Sequence, residues 1–495
     1  MMVHKSRHAP PKASVMIEAL RGLGYSLPAA IADIIDNSIT AKANVIEITF
    51  SWKESGSTIS ILDNGTGMSG LELDKAMRLG ERNPLEDRSL NDLGRFGLGL
   101  KTASFSQSRR LTVATIKNCQ FECLRWDLDY LAECADGGWH LLEGADPNSE
   151  KSLDSLRNRD NGTMVLWEVL DRIVTKKCTP QNFLDIIDLV ENHLSLVFHR
   201  FLADSESPLL IKINGRAIKP IDPFLLDHPF TWSSPVERIP TPGGLVEVQC
   251  HVLPHKDKLS HDEFEMVSGI DGWTSHQGFY VYRNKRLLVD GHWLGLGTGK
   301  AWTKDESFRL ARIRLDIPNT ADADWKIDIR KSKARPPTYL KEKLTRLGEA
   351  TRERARRVFA HRGKYLMSQS KESIMYAWRA EHFTGGIRYR IDRKHPVILK
   401  MLKLAASLEP QMNAMLRVIE ETVPVQRIWL DTTEAKETPC TEFYGESSEN
   451  ILGILRIIYK ELLLEDGMSP ESARKKLLTT EPFNLYPDLV STLSD

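Results

Sequence analysis

The sequence predicts an α+β or α/β sandwich for its N-terminal part, then a second strand-rich region ending near residue 335, then a helical segment. Short strand-like runs alternate with helix-period segments up to residue 335, Arg335-Pro336-Pro337 makes a stop, and long amphipathic patterns follow. A length of 495 residues implies two or three domains, and 41% hydrophobic with 27% charged residues is ordinary globular composition with ample core.

Along the chain, residues 27–41 read as a helix, with Ile31, Ile34 and Ile35 at helical spacing and Pro28 in the first turn. Strands are expected at 45–52 and 57–65, with Gly56 between them. A polar stretch to about residue 93 leads into the glycine cluster GRFGLGLKTAS. Strands resume at 110–116, 121–128 and 163–170, and 181–199 reads as helix. A second strand-rich region is expected from 209–218, where Asn214-Gly215 is a turn signal, through 245–253, 278–289 and 312–317. From residue 338 the pattern turns helical, notably over 396–423 and 450–464.

The charges cancel, 67 basic against 67 acidic, so no global pull toward nucleic acid or anionic membrane is expected. Six cysteines without a CxxC pair fit reduced thiols in a cytoplasmic protein. The basic N-terminus lacks the apolar centre of a signal peptide, and no run of about 18 apolar residues predicts a membrane span.

Four features carry chemistry. Asp33 and Asn37 stand at i, i+4 and share one helix face, while Asp36 points elsewhere. A carboxylate beside an amide oxygen suits a water-activating base next to an oxygen-ligated Mg2+, although two solvated surface residues read the same way. Asp63-Asn64-Gly65-Thr66-Gly67-Met68 follows a strand; a carboxylate there can accept from an exocyclic amine, and glycines permit close backbone approach. In Gly94-Arg95-Phe96-Gly97-Leu98-Gly99-Leu100-Lys101, glycine-rich backbone running into a helix offers N–H groups to phosphates. It has neither Walker spacing nor a Rossmann context. Finally, Gly162-Thr163 opens a strand from which the threonine hydroxyl can join the network of Asp63.

Taken in order, D-I-I-D-N, D-N-G-T-G-M, G-R-F-G-L-G-L-K and G-T resemble the four motifs of the GHKL ATPases, over roughly residues 15–200. The resemblance implies a Bergerat fold, a mixed sheet with helices on one face and ATP between them. It implies that Asp63 contacts the adenine amine, Asn37 ligates Mg2+, and Gly94, Gly97 and Gly99 wrap the phosphates together with Leu100 and Lys101. Gly65, Gly67, Met68 and Thr163 complete the nucleotide contacts, and residues 69–93 form a lid. Most of these hydrolases carry Glu where this chain has Asp33; the shorter side chain retracts the carboxylate, so slow or conditional hydrolysis is expected.

Segment 325–335 looks like the end of the transducer domain in MutL and MORC-type proteins, where a lysine reaches the γ-phosphate. That role falls on Lys333, with Lys331 as the alternate. The resemblance thus implies an α+β ATPase domain at 1–203, an α/β transducer at 204–337 and a helical C-terminal domain at 338–495 that serves dimer or partner binding. It also implies ATP-dependent homodimerisation and DNA-linked work, such as a bacterial restriction or phage-defence system. The rival expectation is a nucleotide-regulated scaffold or chaperone-like module with little hydrolysis. His251, His255 and His261 match no common zinc spacing, and the arginines around 352–362 are diluted by acidic neighbours.

Overall fold

The computed structural model describes residues 11–493 apart from 23, 81–98, 176, 270–271, 322–323, 328–333, 361–374, 384–385, 427, 429–446 and 465–466. The chain divides into two compact units, Met1–Met367 and Ser368–Asp495.

The first unit is mixed α+β. Helices α1 (Ala13–Arg21) and α2 (Leu27–Thr40) come first. Ser26 caps α2 by accepting from the Ala29 N–H, and Pro28 fits its first turn because the missing N–H there has no helical partner. An eight-stranded sheet is formed among the described residues by β1 (Val45–Ser51), β2 (Thr58–Asp63), β3 (Arg110–Lys117), β4 (Gln120–Asp127), β5 (Leu142–Glu143), β6 (Gly162–Glu168), β7 (Leu210–Ile213) and β8 (Arg216–Ala217), in the order β5-β4-β3-β6-β2-β1-β7-β8.

Side-chain parity separates its two faces. Ile59 and Ile61 of β2, Leu111 and Val113 of β3, and Val165 and Trp167 of β6 join the main core. So do residues of α1, α2, α4 (Gly99–Gln107) and the helix Pro180–Val197, which cover that face. Leu62, Ala114, Ile116 and Met164 alternate with them and pack into a smaller cluster with Leu153 and Leu156. The short helix α3 (Gly70–Met77) follows β2 and carries a reciprocal cap between Ser69 and Glu72.

The hairpin expected to open the second strand-rich region instead extends this first sheet. β7 runs parallel to β1, with Ile211 and Ile213 buried in the same core as Ile46 and Ile48. Its turn does fall at Asn214-Gly215, both at positive φ.

A second sheet contains β10 (Glu237–Thr241), β11 (Gly244–Val252), β12 (Gly278–Arg283), β13 (Arg286–His292) and β14 (Ala311–Ile317) in the order β10-β11-β14-β12-β13, with β9 (Trp232–Ser233) beside β11. The helix Thr338–Ala360, where the helical pattern begins, packs on this sheet: Leu340, Leu344, Ala355 and Val358 share its core with Val248 and Cys250. Local periodicity announces that helix but cannot say which surface it covers.

The second unit contains the helices Pro396–Leu404, Glu409–Glu421, Ser448–Leu464, Pro470–Leu478 and Pro487–Ser491, with Leu455, Tyr459, Leu477 and Phe483 in its core. It also holds a strand pair, Trp378–Phe383 with Gly386–Ile391, in a region where only helices were expected. No helix among the described residues is long and apolar enough to cross a membrane.

Candidate functional site

Parity decides where the polar residues at the end of the first sheet point. Asp63 follows Ile59 and Ile61 in phase, Thr163 precedes Val165, and Thr115 follows Val113. All three therefore belong to the helix-covered face, and the register aligns them: Asp63 opposite Thr163, and Thr163 opposite Thr115. The result is a polar row across three adjacent strands.

Asp63, 5% exposed, accepts from the Gly65 N–H at 2.8 Å and from the Ser38 hydroxyl of α2 at 2.7 Å. Burial raises its pKa from the ordinary value, opposed by hydrogen bonds from Ser38, Gly65 N–H and Thr163 N–H. Thr115 Oγ1 lies 3.2 Å from Thr163 Oγ1 and accepts from the Met68 N–H at 2.8 Å. Two motif glycines are demanded by close packing of the chain's own backbone. A Cβ on Gly67, at φ +65°, would stand 1.9 Å from the Ile116 carbonyl oxygen, and one on Gly162 would stand 2.4 Å from the Asp63 carbonyl oxygen.

Helix α2 supplies the opposite wall. Asn37 is exposed, whereas Asp33 and Asp36 are buried. Tyr25 donates its hydroxyl to Asp33 Oδ2 at 3.0 Å, and the same oxygen lies 3.9 Å from where a Cβ on Gly99 would sit. The Asp33 carboxylate thus faces the start of α4, where helix N–H groups favour negative charge. Asp36 points away from Asn37 and pairs with Arg286 of the second sheet.

Leu100 packs against the main core. Lys101 is buried and donates to the carbonyls of Ala76 and Arg78, both at 2.8 Å, while Trp126 Nε1 donates to Met77 O. The end of α3 is thereby fastened to α4. Gly94, Gly97, Lys331 and Lys333 lie outside the described residues, as does 81–93 of the expected lid.

Sequence reading missed Ser38, Thr115, Tyr25 and Arg286. Ser38 adjoins Asn37 and Thr115 sits in a strand, so neither stands out until the register is known. Among the described residues, His251, His255 and His261 form no metal-ligating group; Cys134, Asp136 and His140 do come together, with Asp136 already bonded to the His140 ring.

Residues 25–163 match the family described as histidine kinase-, DNA gyrase B-, and HSP90-like ATPase. The matched span begins at Tyr25 and ends at Thr163, so it encloses both walls of the site and none of the second sheet. No curated protein matches the chain.

Proposed function

We propose that the ATPase-type domain at residues 25–163 binds ATP with Mg2+ and hydrolyses it slowly, using the bound state to change the chain's conformation. The observation that carries this reading is the polar row Asp63–Thr163–Thr115, joined to α2 by the Ser38 hydroxyl that donates to Asp63, within the matched span.

In this reading Asp63 accepts the adenine amine. Each of its oxygens already takes a proton donor from the chain yet has lone pairs to spare. Thr163 and the Gly65–Met68 backbone shape the surrounding wall. The start of α4, at Gly99 and Leu100, receives phosphates together with Gly94 and Gly97, and Lys101 anchors that helix to α3. Asn37, an exposed amide oxygen one turn from Asp33, is a hard donor of the kind Mg2+ takes, so the residues present fit that ion. When bound, Mg2+ neutralises phosphate charge. Asp33, whose Oδ2 accepts from the Tyr25 hydroxyl, takes a proton from the attacking water.

By resemblance to MORC- and MutL-type proteins, Lys333 senses the γ-phosphate, two copies associate in the ATP state, and the work is DNA-linked in the cytoplasm, as in restriction or phage defence. Salt-sensitive DNA binding that strengthens with a non-hydrolysable ATP analogue supports that extension; no affinity in either state removes it.

The central claim is tested by ATP turnover and nucleotide affinity of the wild type, Asp33→Ala and Asp63→Asn. Turnover by the wild type, binding without turnover by Asp33→Ala, and no binding by Asp63→Asn are expected. Binding without turnover by the wild type favours a nucleotide-regulated scaffold, the reading that the short Asp33 side chain supports. No binding by the wild type refutes the site.

A further inference from the structure

We infer that Arg286 of the second sheet is a positioning residue for the Asp33 carboxylate, so that turnover on the first sheet depends on a group delivered by the second. This rests on reading Asp33 as the general base.

The geometry begins with a tight turn. Asn284 and Lys285, at φ +47° and +68°, reverse the chain between β12 and β13 and make Arg286 the first residue of β13. Lys285 pairs with Asp204, which ties the turn down beside the first sheet. Arg286 itself is 4% exposed. Its Nε lies 3.2 Å and 3.1 Å from the two oxygens of Asp36, and its Nη1 donates to the Leu287 carbonyl at 2.6 Å. The Phe198 ring lies 5.8 Å from its Cζ. The guanidinium is therefore held in one place by an anion, a carbonyl and an aromatic ring, and its planar fork cannot turn without losing them.

From that position Nη2 stands 3.9 Å from Asp33 Oδ1. Asp33 and Asp36 are three residues apart on α2, close enough on the helix surface for one guanidinium to reach both. The separation from Asp33 exceeds hydrogen-bond length, so the effect is electrostatic attraction at a buried position, where screening is weak. Asp33 is then held through both oxygens, by Tyr25 from its own domain and by Arg286 from the other sheet. Nearby, burial and Arg286 push His193 down to about 4, so it is neutral near pH 7 and adds no second cation.

Asp36 has no place in the nucleotide chemistry proposed above, and its role here is to hold Arg286. A positioned carboxylate matters because small displacements of a catalytic group cost large factors in rate.

The test uses the full chain. Wild type, Arg286→Gln, Arg286→Lys and the double variant Arg286→Gln/Asp36→Asn are compared for steady-state kcat and KM, affinity for a fluorescent ATP analogue, and melting temperature. Arg286→Gln should lose roughly tenfold or more in kcat while the analogue Kd stays within about threefold. Arg286→Lys should recover part of the rate. The double variant removes both charges of the buried pair, so it should melt near the wild type and still turn over slowly.

A double variant as fast as the wild type overturns the inference, because the pair would then be structural only. Parallel loss of kcat and affinity in the double variant overturns it as well, and so does a wild type that binds ATP without hydrolysing it. If Asp33→Ala turns over normally, or the wild type binds no ATP, the underlying site reading has failed. If those controls behave and the Arg286 variants match the wild type, this inference alone has failed.

Discussion

Replacing Ser38 by alanine tests whether the Asp63 carboxylate is held by α2. The serine is 3% exposed and its hydroxyl donates to Asp63 Oδ2 at 2.7 Å. Hydrogen bonds to a charged group contribute about 1.5–3 kcal/mol, and alanine puts a methyl group where a donor was needed, with little room for water. Because burial raises the Asp63 pKa, ionising this carboxyl opposes folding, and Ser38 offsets part of that cost. Ser38→Ala should therefore destabilise the chain by about 2 kcal/mol near pH 8. The loss should shrink as the pH falls through the raised pKa, since protonated Asp63 depends less on a donor. Weaker positioning of the carboxylate should also lower ATP-analogue affinity by about tenfold, the equivalent of ~1.4 kcal/mol. Urea titrations followed by tryptophan emission, which reports the buried Trp167 of the same core, would be run at several pH values beside nucleotide titrations. A stability change below about 0.5 kcal/mol, within the range of ordinary surface substitutions, would refute the reasoning. So would a loss that grows on acidification.

Two further expectations concern stability. Gly67→Ala forces a Cβ to within 1.9 Å of the Ile116 carbonyl oxygen, so it should destabilise the first sheet by more than about 3 kcal/mol. Gly80→Ala, also at positive φ but with nothing within 4 Å, should cost only about 1–2 kcal/mol, and melting temperatures of the two variants would separate clash from backbone strain. The fully buried His251, pushed down to about 4 by burial, is neutral in the folded chain while its unfolded value lies near 6.5. Its depressed pKa makes stability fall as the pH drops from 6.5 toward 4, by as much as about 3 kcal/mol, and His251→Gln should flatten that slope in denaturation measured across the window.

The helix α2 and the strands flanking Asp63 were legible because each rests on local pattern. Periodicity marks a helix, and a carboxylate followed by glycines marks a strand end. Even the pairing of Asp63 with Thr163 had a trace in the motif order, and the register aligns the two. Ser38 was one position from a named residue and still unread, because its importance depends on the strand it faces rather than on its neighbours in sequence.

What the sequence determined by itself is therefore local: the helix α2, the strands on either side of Asp63, and the mixed α+β character of the first unit. The tertiary structure alone decided that residues 210–217 extend the first sheet, that Thr338–Ala360 covers the second, and that Arg286 lies against α2 some 250 positions away. A β-strand or amphipathic helix carries an apolar face whatever it packs on, so its pattern cannot name its partner. Which faces meet is settled by burial of surfaces distant in sequence, and a buried charge such as Arg286 finds its counter-ions only after those surfaces have closed around it.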